Sequence, residues 1–194
     1  MHLPTVCPSK RPTHTGGAIR LLLCLSLLLA IATPPLVRAE VNASKPTVAQ
    51  ADKNFAHEAA RGLMRDIRIA GMAQQRATKK QIKTFMYYVA RRRVGADAAL
   101  RRLARSSGLQ LPTQLDAQQK QELEALQKLQ GAEFDKAALR AISDPGYVRF
   151  FEFELKDAAP AKDARVKAYA REQLPIIRKD IDAAKRWLDG YDRI

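Results

Sequence analysis

Apolar side chains recur every three or four residues from about Asp52 to Gly190, and this spacing constrains the fold more than any other feature. It places the apolar residues along one face of an α-helix, whereas a half-buried β-strand needs strict alternation. No stretch of the segment alternates in that way, so we predict an all-α fold. Four long amphipathic helices and one short crossover helix bury their apolar faces most simply as an antiparallel four-helix bundle.

Residues that favour helix ends divide this segment. Gly108 is suited to end a helix, because glycine readily adopts the left-handed conformation found there. Asp52 and Asp116 are suited to cap helix starts, and Asp116 forms an approximate capping box with Gln119. The sequence Asp144-Pro145-Gly146 predicts a kink or a break within helix three. The predicted helices cover about 52–75, 78–107, 116–129, 132–155 and 163–190.

Residues 1–39 have the pattern of a secretory signal peptide rather than of a folded segment. A basic stretch precedes the apolar run Leu21–Ala32, and Val37-Arg38-Ala39 resembles a cleavage site. A membrane anchor is the competing interpretation, but a span needs about 20 apolar residues and this run is shorter. We therefore expect cleavage near Ala39, a polar linker over 40–51, the helical domain over 52–190 and a tail over 191–194.

Cleavage would change both the charge and the chemistry available to the chain. The full sequence has 34 Lys and Arg against 20 Asp and Glu, a net charge of +14. The leader contains four of those bases and no acid, so the mature chain would carry +10. Cys7 and Cys24 also lie in the leader, and His57 is the single histidine in the rest of the sequence. A mature chain of this composition has no disulfide, no thiolate metal site and no multi-histidine site.

Charged residues interrupt the apolar faces at three places. Asp66 continues the apolar series of helix one, Arg92-Arg93 fill the gap in helix two, and Asp180 lies at the edge of the series in helix four. A charge inside a core is costly unless it is paired. Each position lies near the middle of its helix, so an antiparallel bundle can bring them to one level as a buried polar cluster. In the alternative interpretation the bundle is slightly rotated and these side chains reach solvent.

Several short elements of the sequence resemble a known family. They are the spacing from Phe85 to Leu100, Gly108-Leu109-Gln110-Leu111-Pro112 after helix two, Gly131-Ala132-Glu133-Phe134-Asp135 at the start of helix three, and Leu174-Pro175-Ile176-Ile177 in helix four. Together they make the segment from Asp52 to Trp187 similar to an exported bacterial ferritin-like family, domain of unknown function 4142.

The resemblance implies a metal site whose histidines this chain lacks. Family members carry a glutamate in helix one, an Asp-His pair in helix two and one histidine in each of helices three and four. The matching positions here are Asp66, Arg92-Arg93, Gly146 and Asp180, so the chain looks like a degenerate member without metal or other cofactor. The guanidinium of Arg93 could stand where a cation would lie, flanked by Asp66 and Asp180, as a structural ion cluster.

The second helix carries a concentration of basic residues, opposed only by Asp97. Besides Arg92 and Arg93, this predicted anion-binding stripe consists of Lys79, Lys80, Lys83, Arg91, Arg101, Arg102 and Arg105. Its N-terminal lysines would add to a helix end that already favours anions. The stripe points to a non-enzymatic binding or structural module, periplasmic or secreted, for anionic lipid, lipopolysaccharide or an acidic protein. The alternative is that it is simply the solvated face of a basic protein.

Other function classes find less support in the sequence. A ferritin-like metal-binding or redox protein with an atypical carboxylate site is the second candidate, but Glu-x-x-His does not occur. Nucleic acid is an unsuitable partner for an exported chain without a recognition module. No hydrolase or phosphate-loop motif is present. Glu152 and Glu154 are interpreted as solvated charges, and the oligomeric state is left open.

Overall fold

The computed structural model describes residues 49–155 and 163–193, and all regular secondary structure within them is helical. They form six α-helices, one short 3-10 helix and no strand, which confirms the all-α prediction. The elements are α1 (Gln50–Arg76), α2 (Lys80–Ser107), α3 (Ala117–Lys128), α4 (Gly131–Ile142), α5 (Pro145–Leu155), α6 (Ala164–Asp189) and the 3-10 helix Tyr191–Arg193. The predicted leader, most of the predicted linker, Cys7 and Cys24 lie outside the described residues.

Helix ends that depend on one residue's chemistry lie where the sequence predicts them. Gly108 follows α2 with φ of 68°, a left-handed conformation that favours glycine. The side chain of Asp116 accepts a hydrogen bond from Gln119 N at 2.8 Å and so caps α3. The break at Asp144-Pro145-Gly146 is also present, since α4 ends at Ile142 and Pro145 begins α5. Proline suits the first turn of a helix because the amide hydrogen it lacks has no partner there.

The prediction that Asp52 caps the first helix is wrong. The helix begins two residues earlier, and its cap residue, Ala49, has no side-chain hydrogen bond to it. Asp52 is instead buried in the first turn, where its Oδ2 accepts a hydrogen bond from Asp163 N at 3.3 Å. The aspartate therefore connects the start of α1 to the start of α6.

The helices pack around two clusters of buried apolar side chains. α1 lies mainly against α2 and also contacts α4, whereas α6 contacts α2, α4 and α5. One cluster contains the last part of α1, the first part of α2, much of α4 and Ala184. The other contains the first part of α1, the last part of α2, Phe151 of α5 and α6 up to Ile181. Asp66, Arg93 and Asp180 occupy the boundary between the two clusters.

The final turn belongs to the first of these clusters. Tyr191, which we expected in a tail, is 4% exposed and packs with the apolar residues of that cluster. Within residues 49–155 and 163–193, no helix has the length and hydropathy needed to span a bilayer.

Candidate functional site

Three of the predicted polar positions meet in the core. Asp66, Arg93 and Asp180 are 3%, 1% and 1% exposed, respectively. Arg93 Nε donates a hydrogen bond to Asp66 Oδ2 at 2.9 Å, and Arg93 Nη1 donates to Asp180 Oδ2 at 2.9 Å. One guanidinium therefore joins α1, α2 and α6 through charge-assisted hydrogen bonds, which are stronger than those between neutral groups.

Two further arginines extend these contacts towards the surface. Arg92, half-exposed, donates from Nε and Nη2 to the carboxylate of Asp180, at 3.2 and 2.5 Å. Arg65 donates to Asp66 Oδ1 at 3.0 Å and binds both carboxylate oxygens of Glu122 on α3. The complete ion-pair cluster has three arginines and three carboxylates: Arg65, Arg92, Arg93, Asp66, Glu122 and Asp180. The apolar periodicity of the sequence does not predict Arg65 and Glu122 as members of the cluster, because neither interrupts an apolar face.

Burial and neighbouring charges shift the pKa of Arg93 in opposite directions. Burial alone lowers the pKa of Arg93, but the charges of Asp66 and Asp180 outweigh it and raise the pKa above its usual value. The side chain is therefore a permanent buried cation. Its Nη2 has no hydrogen-bond partner among the described residues, so the compensation of the buried group is incomplete.

A cleft of about 520 Å³ opens beside the Arg65 side of the ion-pair cluster. Tyr147 lies in its wall and donates a hydrogen bond to Ala59 O at 3.3 Å. A Cβ atom on Gly62 would lie 2.5 Å from Cε2 of Tyr147, so only glycine allows this approach. Burial and the charge of Asp66 raise the pKa of Tyr147 well above its usual value, which keeps the phenol protonated. The ring therefore covers the polar cluster without adding charge.

Gly146 lines the same cleft but has no side chain with which to reach the cluster. Its backbone N donates to Asp144 Oδ1 at 2.8 Å, at the start of α5. Of the four positions at which the resemblance leads us to expect metal ligands in relatives, the structure thus brings together the aspartates and both arginines and leaves Gly146 at the margin. In the described part of the chain, no group of three or more His, Cys, Asp or Glu side chains is arranged to hold a metal ion.

A buried carboxylate, Asp135, binds the turn that precedes α2. The N-cap residue of α2, Lys79, has no side-chain cap hydrogen bond, so the expectation that this helix end favours an anion stays a prediction. Asp135 is 0% exposed and accepts hydrogen bonds from the backbone N and the Oγ1 of Thr78, at 3.0 and 2.5 Å. Tyr191 also donates to Asp135, at 2.9 Å. In the sequence, Asp135 belongs to the Phe134-Asp135 element, which contributes to the family resemblance but does not by itself indicate this contact.

Glu154 is buried, so its interpretation as a solvated charge is wrong. It is 5% exposed, and its Oε1 has no hydrogen-bond partner among the described residues. Burial, followed by the charge of Asp52, raises its pKa from the usual 4.5 to about 7, while Lys167 acts in the opposite direction. Glu152, in contrast, is half-exposed and pairs with Arg178, in keeping with its interpretation as a solvated charge.

The basic residues of the predicted stripe have different environments. Arg101 pairs with Asp97 at 2.6 Å, and Lys83 Nζ donates to the carbonyl of Gln75 at 3.3 Å. The ammonium of Lys79 lies 5.4 Å from the ring centroid of Tyr191. Of these three contacts, only the one between Arg101 and Asp97 offsets a positive charge, whereas the other two hold a lysine side chain in place with its charge intact.

The remaining bases of the stripe share one side of α2 with exposed aromatic and apolar residues. We call this side the outer face of α2 and define it by nine exposed residues spaced three or four apart: Lys80, Thr84, Tyr87, Tyr88, Arg91, Val94, Ala98, Arg102 and Arg105. In its aromatic part, Arg91 Nη1 donates to the hydroxyl of Tyr87 at 3.2 Å, and the rings of Tyr87 and Tyr88 meet edge to face. No acidic residue lies on this face.

Comparison with known proteins identifies the family of this helical bundle. The family model described as a domain of unknown function (DUF4142) matches residues 37–187. The chain belongs to this family. A crystal structure of a DUF305 fragment from Deinococcus radiodurans is similar in fold, with a TM-score of 0.62 at 11% identity, over 74% of this chain and 99% of that one. No curated protein matches the chain.

Proposed function

We propose that this chain is an exported, non-enzymatic member of its family that binds anionic lipid of the cell envelope through the outer face of α2. We further propose that its scaffold is a degenerate ferritin-like four-helix bundle in which α4 and α5 together make up one of the four helices. Signal-peptide cleavage near Ala39 would place the protein in the periplasm or outside the cell.

The observation that carries the binding proposal is positive charge without a local counter-charge. Among the described residues, Arg91, Arg102 and Arg105 form no ion pair with a carboxylate, whereas Arg92, Arg93 and Arg101 each have an aspartate partner. A basic residue close to an anionic membrane surface contributes about 1 kcal/mol to binding. With Lys80, the outer face would contribute roughly 4 kcal/mol.

Exposed apolar groups on the same face favour a lipid surface over a purely ionic partner. Tyr88 is 51% exposed and Val94 is 54% exposed, beside the exposed ring of Tyr87. Tyrosine suits a membrane interface, because its ring is apolar while its hydroxyl remains hydrated.

The ion-pair cluster supports the proposal that this chain has lost the ferritin-like metal site, and it argues against a redox role. Arg93 places a permanent positive charge between Asp66 and Asp180, the two carboxylates that match the family's metal positions. A metal cation at that place would be repelled by the guanidinium and would compete with it for the same oxygen atoms. A structural role for the cluster therefore fits its composition better than metal chemistry does.

Variants in which arginines are replaced by uncharged glutamines test the proposal, with protein purified after export. Co-sedimentation with phosphatidylcholine vesicles, with and without phosphatidylglycerol, gives the affinity of each variant for an anionic surface. Replacing Arg91, Arg102 and Arg105 by Gln is expected to weaken binding to the anionic vesicles by roughly 100-fold, from about 1 kcal/mol for each arginine.

The matched control replaces three exposed arginines on other helices, Arg68, Arg140 and Arg149, by Gln. It removes the same net charge and is expected to retain nearly the wild-type affinity. Equal losses in both variants would mean that net charge, and not the outer face, determines binding. Wild-type protein that binds neither vesicle contradicts the lipid proposal and favours an acidic protein partner.

A further inference from the structure

A groove between α2 and α6 adjoins the outer face of α2. It has a volume of about 510 Å³ and is lined by Lys80, Gln81, Thr84, Phe85, Tyr88 and Trp187. Lys80, Thr84 and Tyr88 belong to both surfaces, so the groove continues the outer face onto α6. Its volume lies within the range of about 300–1,000 Å³ that is usual for small-molecule sites.

The walls of the groove suit a hydrocarbon chain. Three of its six lining residues are aromatic, namely Phe85, Tyr88 and Trp187. The methylene stem of Lys80 adds apolar surface while its exposed ammonium stays in water. Each methylene group that enters such a groove contributes about 0.8 kcal/mol. An apolar chain with a charged end at Lys80 therefore matches the groove better than a wholly polar ligand.

Positive charge also borders the groove on the α6 side. A second hollow, of about 310 Å³, shares Trp187 with the groove and is lined by Arg186 and Arg193. Both arginines are exposed and form no ion pair among the described residues. Asp192, the acidic neighbour of Arg193, is paired with Lys136 at 3.2 Å. The ring of Trp187 thus separates an apolar groove from a hollow of two free cations.

We infer that one anionic phospholipid molecule is bound at Trp187, with an acyl chain in the groove and its phosphate near Lys80, Arg186 and Arg193. The chemistry of the site favours this occupant. An acyl chain would fill the aromatic groove, and the negative phosphate would pair with the surrounding cations. The inference rests on the proposed function and deepens it, since it assigns a specific lipid site beside the general membrane-binding face.

The chain's single tryptophan reports directly on this site. Vesicles containing phosphatidylglycerol brominated in its acyl chains are expected to quench Trp187 fluorescence, since bromine quenches on contact. Brominated phosphatidylcholine, mixed with unlabelled phosphatidylglycerol to keep the surface charge, is expected to quench much less. Equal quenching by both labelled lipids would overturn the role assigned to the three cations.

Two variants separate the lipid site from the general face. T84E places a carboxylate in the groove, whereas A98E places one on the outer face of α2 away from it, and both positions are exposed. At equal bound fractions, T84E is expected to lose the quenching by brominated phosphatidylglycerol and A98E to keep it. Equal quenching of both variants would overturn the lipid site while leaving the proposed function intact. A wild-type protein that does not bind the vesicles contradicts both, and circular dichroism verifies the fold of each variant.

Discussion

Arg93 Nε lies 2.9 Å from Asp66 Oδ2, and this contact joins α2 to α1 at the boundary between the two apolar clusters of the core. Both side chains are buried, and Asp180 binds the same guanidinium from α6. A buried ion pair adds little net stability compared with apolar residues, yet removing one partner leaves an uncompensated charge. The contact is therefore better suited to fixing the relative register of three helices than to strengthening the core.

Asp66→Ala is expected to lower the free energy of unfolding by about 3–5 kcal/mol, because Arg93 keeps its charge and loses a buried partner. The control is Glu58→Ala, which removes a pair with Arg61 in which Glu58 is 54% exposed, and it should change stability by less than about 1 kcal/mol. Urea unfolding followed by circular dichroism measures both. Similar losses in the two variants would contradict the importance of burial at Asp66.

Asp135→Ala is expected to lower the free energy of unfolding by about 2–3 kcal/mol, because Thr78, in the turn before α2, and Tyr191 lose a shared buried acceptor. Asp116→Ala serves as a comparison, since that carboxylate caps α3 through one backbone hydrogen bond and its loss should cost about 1 kcal/mol. The same unfolding experiment ranks the two variants. If Asp135→Ala is the milder change, the hydrogen bonds from Thr78 and Tyr191 to Asp135 do not have the structural role described above.

The contact between Gly62 and Tyr147 predicts opposite effects for two alanine substitutions in α1. Gly62→Ala places a methyl group against the ring and should destabilise the fold by about 1–3 kcal/mol. Gly71→Ala meets no atom within 4 Å and should stabilise the helix by about 0.5–1 kcal/mol. Thermal unfolding of the two variants gives the sign of each effect, and a stable Gly62→Ala variant would rule out the close approach.

Glu154 predicts that stability falls as the pH rises through neutrality. Its pKa in the folded chain, about 7, exceeds the usual 4.5, so the folded state holds the proton more tightly than the unfolded state. The resulting stabilisation is complete below about pH 4.5 and is lost as the pH rises through about 7, an effect of up to roughly 3 kcal/mol. Glu154→Gln should remove this part of the pH dependence.

Its neighbour Glu152 supplies the control for this titration. Glu152→Gln changes a half-exposed carboxylate on the same helix and should leave the pH dependence of unfolding unchanged. Urea unfolding at several values between pH 4.5 and pH 8 compares the two variants with the wild-type chain. Parallel curves for all three proteins would show that Glu154 does not titrate in this range.

Helix ends could be predicted from the sequence where a single residue determines them, as at Gly108 and Pro145. Which arginine of α2 enters the core could not be predicted, because adjacent residues differ by only 100° around a helix and the apolar period tolerates either. The structure buries Arg93 in the core, whereas Arg92 is half-exposed and binds Asp180 from the surface. Asp135 and Glu154 escaped prediction because their burial depends on contacts with residues distant in sequence.

The dependence of vesicle binding on salt tests the central claim most directly. The Debye length, the distance over which salt screens exposed charges, falls from about 10 Å at 0.1 M salt to about 3 Å at 1 M. If the outer face of α2 binds anionic lipid through its free cations, the affinity for phosphatidylglycerol vesicles should fall by roughly tenfold or more over that interval. An affinity that stays constant or rises with added salt would contradict the claim.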